Sequence, residues 1–194
     1  MEGQGRVRRV VTGHDATGRA IVVSDGLAPA VHTNPMRPGH WSVDIWRTEA
    51  APARIEKMAA DPTPGPRKQM PPKRGTVVRI ADFAPESEAL RALDPDSAKK
   101  VFAAMGNESA STFRPGGRHP MMHRTETIDY AIVLSGELTL LLDDTDVVLR
   151  EGDIVIQCGT NHAWSNRSGK PARIAFVLVD GKFDSELETT LENG

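Results

Sequence analysis

Hydrophobic and polar positions alternate along this chain in runs that are mostly of strand length. Residues 6–12 and 20–24 are rich in Val and Ile, and residues 13–18 between them carry the Gly and Asp of a turn, so the pair is expected as a hairpin. Trp41, Val43 and Ile45 alternate with Ser42, Asp44 and Trp46, which predicts a third strand with one wetter face; residues 32–39 before it read as loop. A strand is expected at 76–80. One helix is well signalled: Asp94 can cap it, Pro95 and Asp96 suit its first turn, Ala98, Val101, Phe102 and Met105 share one face, and Gly106 stops it. Residues 86–93 suit a preceding short helix. Then come six short strands, at 128–134, 137–142, 146–150, 153–157, 163–166 and 172–179, punctuated by turn residues and without intervening helices. That is the pattern of an all-β antiparallel sandwich or barrel. The acidic tail from Lys182 has one weak amphipathic turn through Leu187 and Leu191.

Three zones follow. Residues 1–58 form an N-terminal β extension. Residues 59–75 hold five of the 14 prolines and are expected as a surface linker, because proline removes backbone donors and fixes φ. Residues 76–194 are the barrel, with a helical insertion near 86–106.

Composition narrows the function. The 17 Gly and 14 Pro exceed average usage, as a turn-rich fold requires. A net charge of -2 offers no basic field for a nucleic-acid backbone. No apolar run approaches the roughly 18 residues of a membrane span, and the charged N-terminus lacks the apolar region of a signal peptide, so a soluble cytoplasmic protein is expected. A single Cys excludes a disulfide network and a Cys-rich zinc site.

The candidate chemistry lies in two segments. In the first, His123, Thr125, Thr127 and Asp129 are spaced by two, so a strand points them all to one face. In the second, a Gly-Asp turn at Gly152 and Asp153 leads through an apolar strand and the Gly159 turn to His162 and Asn166. Imidazoles and a carboxylate facing one cavity suit a divalent transition metal: Fe, Mn, Ni, Co or Zn. His123, His162 and Asp129 are the candidate ligands. His119 and Glu126 are the alternatives for a further position, although Glu126 has the opposite strand parity. Trp164 shares the parity of His162 and is a candidate pocket wall, with Gln157 and Thr125. Alternation puts Tyr130 on the other face from Asp129, yet as its neighbour it is kept as a pocket and proton-transfer candidate. Arg118 or Arg124 could bind a substrate carboxylate; Arg124, beside His123, is taken as the catalytic one, with Asp129 as acid/base. Cys158 is read as a buried or half-buried structural residue, and His14, His32 and His40 are not read as ligands.

Taken in this order, the two segments resemble the paired motifs of the cupin superfamily. Gly136 anchors the first: Asp129 stands where Glu is usual, His123 at the first His and Thr125 at the second. In the second, Gly152, Asp153, Gly159, His162 and Asn166 match, Gln157 stands where Pro is usual, and one residue is missing between Gly152 and Gly159. The chain is also similar to a narrower group of small cupins, through Gly13-His14-Asp15, Ser24-Asp25-Gly26, Met122–Thr125, Asp129-Tyr130 and Gly159–Trp164. The resemblance implies a double-stranded β-helix (jelly-roll) barrel. It also implies a metal-dependent enzyme on a small oxygenated acid or a polyketide or aromatic metabolite, by decarboxylation or isomerisation. The same ligands would serve a non-haem iron dioxygenase, and a metal-free small-molecule binding protein is the third reading.

No nucleic-acid or membrane partner is expected, but a second copy of the chain is, because an antiparallel barrel exposes a strand edge that needs cover. Light scattering at micromolar concentration is expected to give a homodimer; a monomer mass would count against it.

Overall fold

The computed structural model describes residues 5–193, and strands dominate it. They are β1 (Arg8–His14), β2 (Ala20–Leu27), β3 (Ala30–Thr33), β4 (Trp41–Thr48), β5 (Thr76–Phe83), β6 (Thr127–Ser135), β7 (Glu137–Leu141), β8 (Asp146–Arg150), β9 (Ile154–Cys158), β10 (Ala163–Ser165) and β11 (Ala172–Asp180). The helices are α1 (Glu88–Arg91), α2 (Pro95–Ala104) and α3 (Ser185–Asn193). Asp94 caps α2 by accepting from the Ser97 amide at 2.8 Å, with Pro95 in the first turn, as the sequence signals. None of these helices is long and apolar enough to cross a membrane.

All strand pairs are antiparallel. A six-stranded sheet in the order β3-β4-β5-β11-β6-β9 faces a three-stranded sheet β10-β7-β8, and β1-β2 form a separate hairpin. The fold is an all-β jelly-roll barrel. Inward residues of both sheets, among them Phe83, Val133, Leu138, Leu140, Trp164 and Ile174, close one core. A second cluster packs Val101 and Phe102 of α2 on Met121, Met122 and Leu141. The β6–β7 corner turns on Gly136, at φ +78°, where an added Cβ would come within 2.7 Å of the Pro171 carbonyl.

Two expectations change. Residues 32 and 33, read as loop, belong to β3, and β3 and β4 are hydrogen-bonded into the same sheet as β5. Part of the first zone, β3 and β4, therefore joins the barrel's sheet, while β1 and β2 remain a separate hairpin. The proline-rich stretch lies only partly on the surface: residues 64–66 are exposed, but Thr63 is 1% exposed and Gln69 9%. Proline content excludes a central strand, but it says nothing about burial.

One buried carboxylate joins these parts. Asp44 on β4 is fully buried and accepts from Arg79 Nε on β5 at 2.6 Å and from Arg47 at 2.5 Å. Arg79 continues to the carbonyls of Lys68 (2.7 Å) and Gln69 (3.2 Å), which pins the proline-rich stretch. Burial alone would push the Asp44 carboxyl up; the His32 imidazole at 3.7 Å and the two guanidiniums outweigh it and hold it far below the usual carboxylate range. Its contribution is therefore full above the unfolded value of about 4 and is lost as pH falls well below it. Asp44→Asn, which leaves two buried cations short of a partner, is expected to lower unfolding free energy by about 3–5 kcal/mol in urea titrations at pH 7.

Candidate functional site

The imidazoles of His123 and His162 meet because their backbones do. His123 precedes β6 and His162 precedes β10, and each amide donates to the other's carbonyl at 2.9 Å. Their ring centroids are 4.2 Å apart. Each Nδ1 lies 3.0 Å from a carbonyl two residues earlier, Met121 for His123 and Thr160 for His162. A carbonyl can only accept, so both Nδ1 atoms carry the proton and both Nε2 atoms keep a lone pair. Burial lowers His123 to about 4, with Arg37 adding to the effect; burial, with the neighbouring His123, also holds His162 well below its usual value, so both rings are neutral at pH 7. Gly159, at φ +61°, makes the turn that delivers His162; a Cβ there would come within 2.7 Å of the Phe183 ring.

Both imidazoles open into a cavity of about 690 Å³, counting its mouth. Phe102, Met121, Trp164 and Phe176 give it apolar walls, and Thr125 and Asp129 enter from the β6 side. Asp129 points inward between Leu178 of β11 and Gln157 of β9. It is 7% exposed, and its Oδ1 has no hydrogen-bond partner. Burial pushes its carboxyl up to about 6, against the opposing pulls of Thr127 and Arg79.

The rest of the polar lining comes from the first half of the chain: Arg37, His40, Arg67, Gln69 and Arg79. The sequence reading missed these cavity residues. Arg37, His40, Arg67 and Gln69 sit in proline-rich surroundings that do not show which way a side chain turns, and Arg79 is a lone basic residue within the strand β5. Burial, with Arg37, Arg67 and Arg79 adding to it, holds His40 neutral.

Other expected site residues lie elsewhere. Arg124 does not line the cavity, so a catalytic role beside His123 is not supported; its backbone amide bonds the Ala110 carbonyl. Arg118 is on the surface, bonded to Asp146. Tyr130 is 44% exposed on the outer face of β6 and is no pocket residue, because strand alternation turns it away from Asp129. Gln157 is buried but spends its amide on the Thr160 carbonyl at 3.1 Å, so it shapes the His162 turn rather than the cavity. His119 pairs with Glu86 at 2.6 Å, and Glu126 accepts from the Phe183 amide at 3.1 Å; neither is a further ligand. Cys158 is exposed, not buried. Asn166 ties the Phe83 and Lys170 carbonyls together, a structural role.

Among the described residues no group of three or more His, Cys, Asp or Glu is placed to hold a metal ion. Asp129 shares the cavity with the imidazole pair without joining it in a three-ligand set. The two free Nε2 lone pairs fit a divalent transition metal at two positions, and protein carbonyls fix both rings as metal-binding histidines require.

Residues 110–179 match the family described as Cupin domain. A cupin-domain-containing oxidoreductase (fogC) of Aspergillus ruber is 28% identical over 93% of this chain and 75% of its own length. The phomopsin biosynthesis cluster protein C' of Diaporthe leptostromiformis is 49% identical over 36% of this chain; the match spans only 37% of that relative's length. Among solved structures, a putative ethanolamine utilization protein Q of Salmonella typhimurium overlays 91% of this chain and 98% of its own, at 9% identity and a TM-score of 0.43.

Proposed function

Residues 110–179 belong to the cupin superfamily, and from that premise we propose an enzyme that moves a proton within a small oxygenated organic molecule, an isomerisation, with Asp129 as acid/base. One observation carries this reading: a buried carboxyl faces the cavity with an oxygen that no protein group engages, and it titrates near neutral pH. A general base works best when its pKa lies near the operating pH. In the reaction, ionised Asp129 takes a proton from a carbon beside a substrate carbonyl. The C–H electron pair passes into the carbonyl as an enolate, and the resulting carboxylic acid returns the proton to another carbon of the conjugated system. The guanidiniums lining the cavity favour the negative charge that develops. A substrate hydroxyl can donate to the Nε2 of His123 or His162. A divalent metal held by those two Nε2 atoms would add Lewis-acid polarisation of the carbonyl oxygen.

Asp129→Asn is expected to slow proton transfer by about 10²–10⁴-fold. The readout is deuterium wash-in from D2O into a panel of cyclic and aromatic ketones, followed by NMR. With the wild type, exchange should rise with pH through about 6, as the base form appears. Stability should move the other way. The raised pKa means that the folded state holds its proton longer than the unfolded chain, so stability falls as pH rises from about 4 to 6. Asp129→Asn should therefore melt higher than wild type at pH 8. Exchange unchanged in the variant would overturn the assignment.

A second reading, oxygen chemistry at iron on the same imidazole pair, is favoured by the free Nε2 lone pairs and by the relatives named as oxidoreductases. Metal analysis separates the two. Stoichiometric iron that is lost in both His123→Ala and His162→Ala, together with turnover that requires O2, would establish the second. Undiminished metal in both variants would remove the imidazoles as its ligands.

A further inference from the structure

The cavity carries more positive charge than its carboxylates balance. Four guanidiniums gather around it and its β4 flank: Arg37, Arg47, Arg67 and Arg79. Arg47 and Arg79 share Asp44. Among the described residues, no carboxylate lies in ion-pair contact with Arg37 or with Arg67. Arg67 bonds only the Ser42 hydroxyl, and its Nε is buried without a partner. Arg37 makes no side-chain hydrogen bond; its guanidinium lies 5.5 Å over the Phe83 ring, and its Nε too is buried without a partner. Glu86 attracts Arg37 from a distance only and is itself engaged by His119 and Ser165. Burial lowers Arg37 only to about 10, so it stays charged at neutral pH.

Both guanidiniums are half-buried with a buried, unpartnered Nε, and a charge drawn from water without a protein partner is costly to a fold. It persists where a ligand completes it. We propose that Arg37, seconded by Arg67, is the carboxylate anchor of the cavity, and that the substrate is an unsaturated or aromatic carboxylic acid. The body of the ligand follows from the walls: Phe102, Trp164 and Phe176 offer ring faces and edges to a planar group. The head follows from the planar guanidinium fork, which matches a carboxylate better than a neutral amide. The anchored carboxylate is a spectator, neither formed nor broken, while Asp129 works elsewhere on the same molecule. This inference deepens the proton-transfer reading and rests on the same cavity.

Benzoate, benzamide and phenyl phosphate are suitable probes, measured by calorimetry and thermal shift on the intact chain. Benzoate is expected to bind roughly ten- to a hundredfold more tightly than benzamide, the range set by charge-assisted hydrogen bonds. Arg37→Gln should remove that preference, and Arg37→Lys should restore part of it. The ligand-free melting temperature of Arg37→Gln should be no lower than that of wild type, because the change removes an uncompensated cation. A purely structural arginine would give the reverse: a lower melting temperature with benzoate binding retained. Equal affinity for benzoate and benzamide, tighter binding of phenyl phosphate, no binding of any probe, or an Arg37→Gln chain that fails to fold would each overturn the anchor. Asp129→Asn should keep benzoate binding. Exchange unaffected by that variant, with the benzoate preference intact, would reject the proton-transfer reading and leave the anchor standing.

Discussion

The Arg79 guanidinium organises this molecule. It donates to Asp44 on β4 and to the Lys68 and Gln69 carbonyls, while its own strand, β5, pairs with β11. A single planar cation thus fastens three remote stretches of chain around one side of the barrel. Without it, β4 would have no buried ionic tie to β5, and the proline-rich stretch would keep only its remaining ties, among them the Gln69 amide to the Met105 carbonyl, Arg67 to Ser42 and Asp61 to Arg9. That stretch brings Arg67 and Gln69 to the cavity. The electrostatic character of the site therefore depends on a guanidinium that both lines the cavity and ties its surrounding strands.

The half of the site built by β6 and the β9–β10 turn was legible in the sequence, for a simple reason. Strand alternation has a period of two, so His123, Thr125, Thr127 and Asp129 had to share a face once the strand was recognised. Glycine turns at Gly136 and Gly159 are equally local. The same rule correctly turned Glu126 outward and argued against Tyr130, which nonetheless was kept as a pocket candidate. What alternation could not supply was distance: it put Asp129 on the right face without saying whether a carboxylate one methylene shorter than Glu would join the imidazoles. Arg124 was favoured by nearness in sequence, but nearness along a strand places every second residue on the wrong side.

The other half was not legible because it depends on tertiary pairing. Arg37 sits between two prolines and near a glycine, in a stretch that reads as loop. Only the pairing of β3 with β4, and of β4 with β5, brings that loop over the cavity. The proline-rich stretch misled for a related reason. Composition shows that its backbone cannot form a ladder, and the step from there to a wholly surface position neglects side-chain carbonyl contacts such as those made by Arg79.

The site thus divides along the chain. The imidazole pair and Asp129 lie within residues 110–179, the stretch shared with the cupin domain family, whereas Arg37, Arg67 and Arg79 all lie outside it. On the proposed reading, chemistry and recognition are encoded in separable blocks of sequence. On that reading, divergence before residue 110 would redirect such a protein to a new ligand while its reactive groups stay fixed. Two chains nearly identical across the recognisable domain can therefore be strangers in metabolism, and kinship judged on that domain alone will group them together.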